Sequence, residues 1–198
     1  MHVVTIQSIR EGEAQIQAFP PTDPTNYSYR EFLAFFAARP VLSPHDVTVG
    51  AFMAYGWMPR ALNVFDVNNL NGVVAIVNRV KLGQFPTGDD LALLIRSINN
   101  SLVGPSKLLH FANPAICPIW DSRVFRFIEG QEPSQDDMNS VQNYLDYHRN
   151  LRDLVADAAF QGIHNSMNQE IGYWVTPFRA CEYIMYSRAP FNRVPVTD

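Results

Sequence analysis

PIWDSRVFRF, residues 118–127, sets one acid, Asp121, between an apolar run (AICPIW, 115–120) and a segment with helical spacing. An aspartate in that place is a strong helix N-cap, because its carboxylate accepts the free N–H groups of the first turn. It is also the kind of single carboxylate on which an active site can depend. The two readings are compatible, since the N–H contacts of a cap favour the charged form.

Immediately upstream, DLALLIRSINNSL (90–102) and SKLLHFAN (106–113) both show helical periodicity, separated by a break at Val103-Gly104-Pro105. The spacing predicts a helical hairpin over 89–112, followed by an aspartate loop and helix over 113–130. Unpaired N–H groups at the start of the second helix are suited to a phosphate, and Gly104 permits close backbone approach. Such a hairpin can hold a DNA strand without a strongly basic surface. A corner that serves only packing has the same pattern.

The rest of the chain reads as nearly all-α. Residues 1–25 are expected to be an N-terminal arm, with a short strand possible at VVTIQS and a proline-rich turn at FPPTDPT (19–25). NYSYREFLAFFAAR (26–39) has helical spacing, with Phe32, Phe35 and Phe36 on one side and Pro40 ending it. Ser43-Pro44 reads as a cap followed by proline at the first helical position, opening a helix that stops near Met58-Pro59. Residues 61–82 predict one or two helices. Further helices are expected from about 137 to 168 and over TPFRACEYIMYSRA (176–189), within a single domain spanning 1–198. Asp89-Asp90 and Asp136-Asp137 read as helix starts.

Composition argues for an ordinary globular chain: 47% hydrophobic, 12% aromatic and 17% charged over 198 residues. No apolar stretch is long enough to span a bilayer, and the first residues lack a signal-peptide pattern, so a cytoplasmic protein with no membrane partner is expected. Cys117 and Cys181 are far apart and the five histidines form no ligand pair, so neither a metal nor a cofactor is expected. The net charge of −4 opposes broad nucleic-acid coating but allows a local DNA surface. Thirteen of the 15 basic residues are arginines, leaving Lys81 and Lys107 as the two amines.

Taken together, SINNSLVGPSKLLHFANPAICPIWDSRVFRFI (97–128) resembles the signature region of the helix-hairpin-helix DNA glycosylases. In that superfamily a hairpin of the form L-P-G-V-G leads into a helix, and a short apolar loop then delivers a catalytic aspartate. Val103-Gly104 matches the end of the hairpin, and Asp121-Ser122-Arg123-Val124-Phe125-Arg126-Phe127 matches the aspartate motif. The resemblance covers about 30 of the 198 residues. It implies a two-lobed helical fold and removal of a base from double-stranded DNA. The sequence departs from the pattern in having Ser101-Leu102 before Val103 and a shorter interval to the aspartate. Members that also cut the strand have a lysine two residues after the last hairpin glycine. That position is Ser106 here, and Lys107 follows it. One residue is about 100° of helix rotation, so Lys107 is expected to point elsewhere and the enzyme to be monofunctional, with a Schiff-base lysine as the lesser option.

On this resemblance Asp121 is the catalytic carboxylate. It would stabilise the oxocarbenium character that develops on the sugar and orient or deprotonate the attacking water. Val103, Gly104, Ser106, Lys107, Arg123 and Arg126 are the candidate DNA contacts, although Arg123 and Arg126 read equally as solvent-facing or paired with Glu129. Tyr55, Trp57 and Trp120 are the candidate base-pocket or wedge residues, with core packing the other reading of both tryptophans. Glu170 and Glu182 could face the cleft, but nothing in the sequence singles them out. A small chain without a four-cysteine cluster is similar in type to a divergent bacterial branch. That branch includes antiviral glycosylases that excise glucosylated hydroxymethylcytosine from phage DNA. Repair of an oxidised or alkylated base is the sibling expectation, and a non-catalytic DNA-binding hairpin protein the one from another class. A monomer is expected.

Overall fold

The computed structural model describes residues 1–16, 23–58 and 60–188. Among them the chain forms eleven α-helices and no strand, with one isolated antiparallel bridge between Phe65 and Ile98. The helices are α1 (Ile6–Glu13), α2 (Pro24–Ala37), α3 (Pro44–Trp57), α4 (Leu70–Lys81), α5 (Gly88–Ser97) and α6 (Val103–Ala112). They continue with α7 (Ser122–Glu129), α8 (Gln135–Asn139), α9 (Val141–Ala156), α10 (Phe160–Ile171) and α11 (Pro177–Arg188). No helix among the described residues is long and apolar enough to cross a membrane.

Side-chain caps start most of these helices. Ser43, Thr87 and Ser134 each form a reciprocal capping box with the acid three residues on, Asp46, Asp90 and Asp137. The acid pairs at 89–90 and 136–137 are therefore helix starts. The amino-terminal segment differs from the strand or arm predicted for it. Thr5 and Ser8 cap α1 reciprocally, and the helix buries Ile9 and Gly12. A Cβ on Gly12 would stand 2.7 Å from Ile184 Cγ2, so this glycine allows close packing on α11. The turn predicted for 19–25 lies largely outside the described residues, and Asp23 caps α2.

Two helices organise the packing. Helix α6 is buried along Gly104–Ala112 and packs against α2, α3, α4 and α5. Helix α11 is buried along Phe178–Met185 and packs against α1, α7, α9 and α10. One continuous apolar core joins the two groups, and Trp120, Tyr144, Tyr147 and Phe111 are among its largest members. Each such side chain contributes roughly 1.5–3 kcal/mol on leaving water. A helix buried on all sides should be apolar all round. Yet α6 carries Ser106, Lys107 and His110, and α11 carries Arg179 and Glu182. Polar groups so placed need partners.

The hairpin turn is not where the break at Val103-Gly104-Pro105 predicts it. Helix α5 ends at Ser97, and the reversal is made by Asn99 (φ 57°) and Asn100 (φ 48°). Asparagine tolerates this left-handed backbone better than most side chains. Val103, Gly104 and Pro105 instead form the first turn of α6. This moves the helix start towards the N-terminus and changes which residue faces the aspartate.

Candidate active site

Asp121 is the N-cap of α7. Its Oδ1 accepts the N–H groups of Arg123 (3.0 Å) and Val124 (3.1 Å), while its Oδ2 faces Lys107 Nζ at 3.3 Å. The side chains of Lys107 and Asp121 are only 5% and 13% exposed, so this ion pair is largely withdrawn from water. Burial alone would raise the Asp121 carboxyl. The Lys107 ammonium and the two backbone N–H groups outweigh it and hold the group below the ordinary carboxylate range.

Lys107 therefore reaches the aspartate, against the expectation that it would point elsewhere. Ser106, the residue at the matching motif position, faces the apolar loop. Its hydroxyl accepts the Trp120 N–H (3.1 Å) and lies within donating distance of Trp120 O (3.1 Å) and Val103 O (2.9 Å). Ser106 is fully buried and acts as a clip that holds the backbone just before Asp121. It is not placed to touch DNA. Trp120 is likewise core rather than pocket: it is 0% exposed, and its Nε1 donates to Met138 O (3.1 Å).

The pair lies at the floor of a cleft of about 1100 Å³ whose lining comes from both helix groups. Val103, Gly104, Tyr55 and Trp57 line it from one side, and Arg123 and Arg126 from the other. Gly104 is required by Tyr55 rather than by a phosphate, since a Cβ would stand 2.2 Å from the tyrosine ring. Most amides at the start of α6 are also engaged: those of Leu102, Val103 and Ser106 donate to Asn139 Oδ1, Ser101 Oγ and Leu102 O, and Pro105 has no N–H. Arg123 stacks on Tyr186 (4.1 Å), and Arg126 pairs with Glu132 (2.8 Å) rather than Glu129. Glu129 binds His2 instead.

A second buried pair reaches the same cleft. Arg179 donates to Glu182 one turn later on α11, with side chains 5% and 2% exposed. Burial pushes the Glu182 carboxyl up, with the neighbouring Asp121 charge adding to this and Arg179 and Lys107 opposing it. The guanidinium lies over the rings of Tyr29 (4.5 Å), Trp57 (5.4 Å) and Tyr183 (5.6 Å). Tyr29 is held in turn by His110. The His110 Nδ1 is 2.8 Å from Cys117 O, which can only accept, so Nδ1 carries the proton and Nε2 accepts from Tyr29 OH (2.8 Å). Burial, helped by Arg179, lowers His110 to about 3, which keeps it neutral.

Of the residues singled out in the sequence, Asp121, Lys107, Val103, Gly104, Arg123, Arg126, Tyr55 and Trp57 line the cleft and Ser106 and Trp120 do not, while Arg179, Tyr29 and His110 were passed over. The available signal was an Arg–Glu pair at i, i+3 inside the apolar run of PFRACEYIM (177–185), spacing that suits an intrahelical ion pair. Among the described residues, no three His, Cys, Asp or Glu side chains gather as a metal-ligand group. Comparison with models of known families, with curated proteins and with solved structures returns no match.

Proposed function

We propose that the chain is a DNA N-glycosylase of the helix-hairpin-helix type, acting at the Lys107–Asp121 pair. The observation that carries this reading is a primary amine and a carboxylate 3.3 Å apart on the floor of a cleft of about 1100 Å³. The target nucleotide must be turned out of the duplex to reach them. Tyr55 and Trp57 supply apolar walls, and Arg60, Arg123 and Arg126 supply positive charge at the lining.

The position of Lys107 favours the amine as nucleophile over the purely hydrolytic route expected from the motif. An ammonium proton of Lys107 passes to water in the cleft while Asp121 stays ionised, and the Nζ lone pair forms a bond to the sugar C1′. The C1′–N bond breaks with its electron pair going to the base, which then takes up a proton. Asp121 balances the positive charge that builds on the sugar during this exchange. The adduct opens to a Schiff base, which water hydrolyses to leave an abasic site and regenerate the amine.

The size of the cleft favours a bulky base. Glucosylated hydroxymethylcytosine in phage DNA, excised as antiviral defence, fits that requirement better than a compact oxidised base. The test is incubation of purified protein with glucosylated phage DNA, unmodified DNA and oligonucleotides carrying oxidised bases, followed by alkali. Release of free base with alkali-labile breaks is expected from the wild type and not from Asp121→Asn. Borohydride should trap a covalent adduct that Lys107→Met cannot form. Absence of both free base and adduct on every substrate would mean that the hairpin serves only to bind.

A further inference from the structure

We infer that Arg179 stabilises the departing base as an anion, so that the cleft releases electrically neutral bases and not cationic, ring-alkylated ones. This rests on the glycosylase reading above and narrows its substrate class. Three features converge on Arg179. It is 96% buried at the cleft lining, and its Nε–H has no hydrogen-bond partner. Its charge is balanced by Glu182, so it can stay ionised away from water. Its guanidinium also occupies the faces of Tyr29, Trp57 and Tyr183.

The last feature decides the class of base. Aromatic faces attract cations, and a cationic alkylated base could use them if they were free. Here the protein's own cation already lies over one face of Trp57 and of Tyr183, the two of these rings that line the cleft. A neutral base faces the opposite problem. When its C1′–N bond breaks, the bonding pair stays on the base, which carries a full negative charge until it is protonated. An oriented donor held in a site screened from water is the means of stabilising such a charge. A cationic base leaves as a neutral molecule and gains nothing from Arg179.

Two planar purines of opposite charge test this without requiring a turnover. Binding of urate, an anion at neutral pH, and of 7,9-dimethylguaninium, a cation, is measured by saturation-transfer NMR. The proteins are the wild type and an Arg179→Met/Glu182→Leu variant. The paired replacement avoids leaving either charge uncompensated. The wild type should prefer urate by about tenfold or more, the scale of a charge-assisted hydrogen bond, and the variant should lose that preference. Equal binding, tighter binding of the cation, no binding of either, or an unchanged preference in the variant would overturn the inference. So would excision of 7-methylguanine as fast as that of a neutral base. Borohydride trapping of the wild type on an abasic-site oligonucleotide, which carries no base, reads the amine chemistry separately. Failure of the wild type to trap, with the urate preference intact, counts against the amine chemistry at Lys107 and not against Arg179.

Discussion

Lys107 Nζ and Asp121 Oδ2 meet at 3.3 Å from positions fourteen residues apart, one inside the first turns of α6 and the other at the start of α7. The carboxylate divides its work: Oδ1 closes the end of α7, and Oδ2 compensates the amine. Structural and chemical duties therefore fall on separate atoms of one side chain, which makes them separable by substitution.

Asp121→Asn keeps a cap oxygen, since asparagine caps as well as aspartate, but it leaves the buried ammonium of Lys107 uncompensated. Asp121→Asn and Lys107→Met should each destabilise the fold, with the double variant recovering part of the sum. The expected coupling in a urea-denaturation cycle is about 1–3 kcal/mol. Strictly additive losses would show that the two groups do not interact. All three variants should be inactive in base release.

Ser106→Ala removes the clip between α6 and the loop and leaves the buried Trp120 N–H without its acceptor. A loss of about 1–3 kcal/mol is expected. Binding of abasic-analogue duplex, followed by fluorescence anisotropy, should be nearly unchanged, because the hydroxyl faces the core. Arg123→Ala should weaken the same binding and make it less salt-dependent. A large drop in affinity from Ser106→Ala with intact stability would refute this assignment.

Gly104→Ala forces a Cβ to within 2.2 Å of the Tyr55 ring. The cost should be about 1–3 kcal/mol, typical of overpacking. Adding Tyr55→Leu should relieve part of it. If the alanine variant is as stable as the wild type, the contact with Tyr55 does not dictate glycine there.

Acid should weaken the fold through buried His110 and half-buried His148. His110 is lowered to about 3 by burial and Arg179, and His148 to about 4 by burial and Arg152. The unfolded chain takes up these protons near pH 6.5, while the native protein does not. Stability is thus full above pH 6.5 and falls as the pH drops towards the folded values. His110 alone should supply a slope of about 1.4 kcal/mol per pH unit in that window. Urea midpoints between pH 7 and 4.5 should show it, and His110→Gln should flatten it. An unchanged slope in that variant would place the proton uptake elsewhere.

The sequence by itself determined the helical class, most capped helix starts and the place of Asp121, because these depend on residue spacing and on contacts three or four positions away. DSRVF reads as a cap since everything the cap needs lies within four residues. The facing of Lys107 was not legible, because it depends on where the hairpin turns. The glycine and proline at 104–105 suggested the turn, but Asn99 and Asn100 make it, and that shift exchanges the roles of Ser106 and Lys107. Trp120 shows the same limit: its neighbours do not tell whether it faces the core or the cleft, and only the carbonyl of Met138 and the rings around it decide. Arg179 and Glu182 reach the cleft because α11 is buried along Phe178–Met185 and packs against α7. Tertiary packing alone brings two oppositely charged pairs from distant segments into one water-poor site, where their interaction is strong enough to matter.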